Sequence, residues 1–239
     1  MSENRAEARI SLANIEHNYR LLCRKAGEKR IVMAVVKADA YGHGAVEVCR
    51  RLSDAGATHF AVACMEEAAL LRRSGIRGEL LVLGITPQEL YPAIAEYDVV
   101  QTVSSLAYAS QLADCGPVRV HIKIDTGMSR LGLYCHTLED VARTAEDVAR
   151  IAALPGLKVE GIFTHFAVSD EPDADSRGCG RKLCRPLHHS LLQGGRVDEQ
   201  IGQAALCRSF QPDLPVQPAV GQVINDKAKG WNGRVFTGI

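Results

Sequence analysis

The sequence predicts a parallel α/β fold of repeating strand–helix units over its first 178 residues. Three observations lead there. Near-continuous apolar, β-branched runs of strand length alternate with amphipathic segments of helical length. Glycine or a Pro-Gly pair punctuates the ends of the helical segments. The ionisable residues that interrupt the apolar pattern fall where the runs end, the edge at which α/β sheets keep their functional groups.

Six runs have the apolar continuity of strands covered on both faces: 31–36, 58–64, 79–84, 98–103, 118–124 and 158–164. Residues 45–55 form the first clear helix and stop at Gly56. Residues 65–74 form a second, stopped by Gly75. A third covers 137–154 and ends at Pro155-Gly156, and Thr137 with Asp140 three positions on gives it a capping-box start. Six such units suit an open doubly wound sheet or a closed (β/α)8 TIM-type barrel. No G-x-G-x-x-G follows any strand, which takes away the best support for a dinucleotide fold and favours the barrel, incomplete after its sixth strand.

Composition narrows the function classes. Hydrophobic residues make up 46% and charged residues 23% of 239 positions, the balance of a soluble globular chain. Lys plus Arg equals Asp plus Glu at 28 each, so there is no basic footprint for nucleic acid or an anionic membrane. No stretch approaches a membrane span and the N-terminus carries no apolar leader, so a cytoplasmic protein is expected, its eight Cys reduced. The neutral total hides a change of character: residues 1–178 carry 20 Lys/Arg against 24 Asp/Glu, and residues 179–239 carry 8 against 4. Gly and Pro double in frequency in that tail, which disfavours regular elements. Two accounts of 179–239 stand: a coding-frame slip, or a divergent seventh unit with a flexible end. Cys179, Cys184, His188 and His189 lack usual zinc spacing, and the basic 181–185 stretch is too short for nucleic-acid contact.

Chemistry concentrates in three places. Residues 35–44 read Val-Val-Lys-Ala-Asp-Ala-Tyr-Gly-His-Gly, so Lys37 closes an apolar strand. Partial burial there lowers an amine's pKa and frees it to attack a carbonyl. Tyr41, the Gly42-x-Gly44 pair and a helix start behind them make an anion-accepting loop. Residues 121–132 read His-Ile-Lys-Ile-Asp-Thr-Gly-Met-Ser-Arg-Leu-Gly. Period two puts Lys123 and Asp125 on one strand face, as an ion pair or as functional groups, and the Thr126-Gly127 loop carries Arg130 back over the same end. The third stretch, Glu-Gly-Ile-Phe-Thr-His-Phe-Ala at 160–167, ends the sixth strand on His165.

In this order the three motifs resemble those of the bacterial alanine racemase family. The resemblance covers residues 8 to about 178, and even 8–19, Ala-Arg-Ile-Ser-Leu-Ala-Asn-Ile-Glu-His-Asn-Tyr, is similar to the family's opening, a short strand leading into a helix. It implies the family's N-terminal barrel, pyridoxal 5′-phosphate as cofactor, a homodimer, and interconversion of L- and D-alanine for peptidoglycan. Lys37 is then implied to hold the cofactor as a Schiff base and to be the base on the D face of the substrate Cα. Tyr41 would meet the phosphate, Arg130 the phenolic oxygen, and His165 the pyridine ring. Lys123 matches a lysine that is carbamylated in many members and supports the arginine. The family's second base is a tyrosine of a C-terminal domain, and no Tyr follows Tyr134 here, so low or absent activity is expected of this chain. A serine racemase of the same family, and a non-catalytic cofactor-binding barrel serving cofactor homeostasis, are the alternative readings.

Overall fold

The computed structural model describes residues 8–28, 30–167 and Leu183, together with the backbone of 236–238. In chain order the first elements are α1 (Leu12–Ala26), β1 (Met33–Val35), the single turn α2 (Lys37–Gly42), α3 (Ala45–Asp54), β2 (His59–Val62), α4 (Met65–Arg73) and β3 (Glu79–Val82). A 3-10 turn (Gln88–Leu90) leads to α5 (Tyr91–Glu96), β4 (Val100–Val103), α6 (Leu106–Ala113), β5 (Val118–Asp125), the short β6 (Leu133–Tyr134), α7 (Asp140–Ala152) and β7 (Leu157–Thr164). A three-residue β8 (Phe236–Gly238) pairs parallel with β1, Ala34 opposite Thr237. The expectations for 179–239 otherwise lie outside the described residues.

Strand order separates the two architectures that periodicity left open. The neighbours run β5-β4-β3-β2-β1-β8, with β7 along β5 and β6 at its end, and every pairing is parallel. Each major strand therefore lies beside its predecessor, without the reversal that defines a doubly wound sheet. The two faces also differ. Ala34, Phe60, Val62, Leu80, Val82, Val120, Ile122 and Ile124 join residues of every major helix, such as Ile15, Leu52, Leu71, Leu112 and Ile151, in one core. The opposite face holds a small strand-only cluster of Met33, Val35, Ala61, Leu81, Val100 and Phe163. Helices on one side and an inner strand-only core are the arrangement of a barrel wall. Burying a side chain such as Phe60 or Leu80 stabilises this wall by about 1.5–3 kcal/mol.

Local chemistry explains the element ends. Ser11 caps α1 by accepting the Asn14 N–H at 3.3 Å, and Arg24 and Lys25 face the negative end of its dipole. The short opening strand reduces to one bridged residue, Ile10, because the α1 cap follows at once. The helix expected from residue 137 starts at Asp140 instead. Its carboxylate accepts from the N–H of Thr137 (2.8 Å) and of His136 (3.1 Å), so the capping pattern forms but holds 136–139 outside the helix. At the N-terminal end of the barrel Arg119 binds Glu79, Asp98 (3.1 Å) and Glu160 (2.9 Å), tying β3, β5 and β7 together.

Candidate active site

Lys37, Lys123, Asp125 and His165 stand at the C-terminal ends of β1, β5 and β7, and the structure brings the first three into one electrostatic neighbourhood. Lys123 is buried, its Nζ 5.9 Å from the Phe163 ring centre. Burial pushes its amine below the ordinary lysine range. The Arg130 charge adds to this, Asp125 opposes it, and Lys37 adds again. Among the described residues Lys123 Nζ has no hydrogen bond or ion pair, so the Lys123–Asp125 ion pair does not form, although both side chains are buried as expected of one face.

Asp125 works on its own loop. It accepts from the N–H of Gly127 at 3.1 Å and of Ser129 at 3.0 Å, and lies 3.2 Å from His136 Nε2. Burial alone would raise its carboxyl, but these contacts outweigh it and hold the group below the usual carboxylate value. His136 stacks on Tyr134 with ring centres 4.0 Å apart. The loop that carries exposed Arg130 is thus tied back to the end of β5. Thr126 and Thr164 hydrogen-bond at 2.8 Å, fastening the ends of β5 and β7 one residue before half-buried His165.

The Lys37 motif takes a shape that sequence patterns do not announce. Ala38, Asp39, Ala40 and Tyr41 have φ of 51°, 53°, 52° and 56°, four successive left-handed residues without a glycine among them. Each costs about 1–2 kcal/mol, so neighbours must hold the turn. Ala40 N–H donates to Val36 O at 2.9 Å, His43 Nδ1 lies 2.7 Å from Ala40 O, and Glu67 Oε1 accepts the Ala38 N–H at 2.7 Å. Tyr41 is thereby carried back over Lys37, whose Nζ lies 5.9 Å from its ring centre. The anion-accepting loop is corrected in one respect: Asp39 Oδ1 already accepts the first N–H of α3, from Ala45, at 2.7 Å.

Sequence reasoning missed Glu67, His136 and the Thr126–Thr164 pair. Glu67 had one available signal, an acidic residue in the first helical turn after the second strand, on the same barrel end as Lys37. His136 had none, because its partner lies across the return loop. Below Lys123, Thr102 Oγ1 and His121 Nδ1 are buried without a hydrogen-bond partner among the described residues, and Thr102 and His121 are opposed across β4 and β5. No group of three or more metal-ligating side chains occurs among the described residues. No described helix is long and apolar enough to cross a membrane. The Cys179, Cys184, His188 and His189 set lies outside the described residues.

Residues 10–191 match the family profile described as alanine racemase, N-terminal domain. An alanine racemase of Desulforamulus reducens is 44% identical over 172 residues, covering 70% of this chain and 45% of its own length. Alanine racemase 1 of Bacillus subtilis is 40% identical over 173 residues, 70% of this chain and 42% of that one. The chain thus spans less than half the length of these relatives. Among solved structures, alanine racemase of Bacillus anthracis with bound L-Ala-P superposes with a TM-score of 0.76 at 28% identity, covering 89% of this chain and 62% of that one. Alanine racemase of Clostridium difficile in complex with cycloserine gives 0.74 at 31% identity, with coverage of 81% and 53%.

Proposed function

Since the chain belongs to the alanine racemase family through its N-terminal domain, we propose that its barrel end binds pyridoxal 5′-phosphate and alanine, with Lys37 as the cofactor lysine and the proton-transferring base on the D face of Cα. The observation that carries this is the concentration of Lys37, Lys123 and Arg130 around one barrel end, where Asp125 is turned to its own loop. Lys37 and Arg130, neither of them in an ion pair among the described residues, fit a cofactor with a phosphate and a phenolic oxygen. Bound there, pyridoxal 5′-phosphate supplies an electron sink that acidifies the substrate Cα–H.

The chain's own residues do the rest. Lys37 Nζ would hold the cofactor and, once the substrate amine displaced it, would be free to move the Cα proton on its side; the left-handed turn follows directly after it. Tyr41, its ring centre 5.9 Å from Lys37 Nζ, would offer its hydroxyl to the phosphate. Arg130 would donate to the phenolic oxygen from a loop that Asp125 and His136 tie down. His165 would pack against the ring from the end of β7. Lys123, with its depressed amine, is the site for carbamylation: a neutral amine adds carbon dioxide, releases a proton and becomes an anion that can pair with Arg130. The opposite face needs a second base. No Tyr follows Tyr134 in the 239 residues, so the family's tyrosine is not supplied from within them. Residues 1–178 form the barrel unit of this proposal, and a homodimer and a cytoplasmic site of action follow from the family.

A one-faced active site has a distinctive readout. In D2O with the cofactor present, this chain is expected to exchange the Cα hydrogen of D-alanine faster than that of L-alanine, with racemisation slower than exchange by about 10²-fold or more, the usual weight of one acid–base group. Exchange lost in Lys37→Ala supports the proposal. No exchange on either enantiomer by a chain that binds the cofactor refutes the enzymatic reading and favours a cofactor-binding barrel.

A further inference from the structure

We propose that Glu67 is the positioning residue that sets the direction of Lys37, by taking two main-chain N–H groups that the end of β1 leaves without acceptors. The inference rests on the role given to Lys37 above, and it follows from where the β1–β2 ladder stops. Val36 N–H donates to Ala61 O at 2.8 Å. A continuing parallel ladder would next join Ala63 N–H to Val36 O, then Ala38 N–H to Ala63 O. Both acceptors are otherwise engaged. Val36 O takes Ala40 N–H at 2.9 Å as the chain winds into its left-handed turn, and Ala63 O takes Gly84 N–H at 3.0 Å. Two donors remain at the strand ends, one at exposed Ala38 and one at half-buried Ala63, where an unpaired N–H is costlier.

Glu67 serves both. Its Oε1 accepts Ala38 N–H and its Oε2 accepts Ala63 N–H, each at 2.7 Å. One planar carboxylate thus spans two strand ends, carried by the first turn of α4, whose neighbouring Met65 and Ala68 are buried in the core. The peptide plane that bears Ala38 N–H is the one that joins it to Lys37. Holding that N–H fixes ψ of Lys37 and starts the left-handed run at the residue after it. Asp39 and His43 brace the far side of the turn, through Ala45 N–H and Ala40 O, and neither touches this plane.

The test compares Glu67→Ala, Glu67→Gln and, as control, Glu66→Gln in the same helical turn. Two readouts are taken: amide hydrogen exchange, and the rate at which pyridoxal phosphate becomes borohydride-fixable on the Lys37 peptide. Glu67→Ala is expected to speed exchange at Ala38 and Ala63 by roughly tenfold or more while Leu71 in α4 stays protected. Glutamine keeps the volume but has one acceptor oxygen, so Glu67→Gln should release one of the two amides and keep the fold. Attachment at Lys37 should slow in both variants and not in Glu66→Gln. Unchanged exchange at Ala38 in Glu67→Ala and Glu67→Gln overturns the proposal, as does faster exchange with attachment at the native rate. If the native chain attaches no cofactor, the function proposed above fails separately, and amide exchange alone then decides whether Glu67 holds the turn.

Discussion

Replacing Gly132 by Ala should disable the return loop that carries Arg130. Gly132 has φ of 132°, and a Cβ there would lie 2.6 Å from Asp125 N, 2.9 Å from Ile124 C and 3.0 Å from Lys123 O. All three are main-chain atoms of β5, so no rotamer change relieves the overlap. Backbone strain of about 1–3 kcal/mol and overpacking of about 1–3 kcal/mol sum to roughly 2–6 kcal/mol. With a urea slope of about 2 kcal/mol per molar, the unfolding midpoint should fall by about 1–3 M. Gly127→Ala provides the internal comparison. Its φ is 121°, but nothing lies within 4 Å of a Cβ at that position, so only the strain part, about 1–3 kcal/mol, applies. Equal losses for the two variants would refute the close-approach argument. The same displacement moves Asp125 N, so Gly132→Ala should also weaken whatever anion Arg130 and Lys123 hold.

Three further outcomes follow from the interior. Thr102→Val replaces a buried hydroxyl that has no partner among the described residues, so urea unfolding should show no loss and a gain of up to about 1 kcal/mol; a loss beyond that would mean the hydroxyl is bonded. Burial, then the His59 and Arg119 charges against the opposing pull of Glu160, lowers His121 to about 4. That lies below the ordinary histidine value of about 6.5, so between the two the unfolded chain binds a proton that the native chain does not. Stability is therefore full above pH 6.5 and falls as pH drops toward 4, by at most about 3 kcal/mol from this residue. His121→Asn should flatten urea midpoints across that window, leaving the smaller slope from His59, which burial lowers as well; an unchanged slope contradicts the assignment. Asp125→Asn keeps one acceptor for the Gly127 and Ser129 N–H groups but loses the charge facing His136, so proteolysis within 126–132 should accelerate; equal cleavage rates would show that the loop is held otherwise.

The barrel was legible because its information is local. Apolar runs at 79–84 and 118–124 need only a window of a few residues, and the structure places β3 and β5 on them within one or two positions. Burial of Lys123 beside Asp125 on one face follows from period two alone. What could not be read is non-local or runs against residue preference. Nothing in Ala-Asp-Ala-Tyr favours φ above 50° four times over. That conformation is imposed by Glu67, 29 positions from Ala38, and by the α3 cap on Asp39. The Lys123–Asp125 ion pair failed because the strand places the two side chains in register without deciding that Asp125 would find closer donors in its own loop. Helices α5 and α6 escaped the pattern because they are short, six and eight residues, and α5 begins on a 3-10 turn with Pro at its start.

Lys37 is proposed as the residue through which this barrel engages pyridoxal 5′-phosphate. Incubating the chain with pyridoxal 5′-phosphate, reducing with borohydride and mapping the modified peptide by mass spectrometry tests it most directly. One stoichiometric adduct on Lys37 is expected, absent in Lys37→Ala and retained in Arg130→Ala. An adduct distributed over surface lysines, or one that persists in Lys37→Ala, would contradict it.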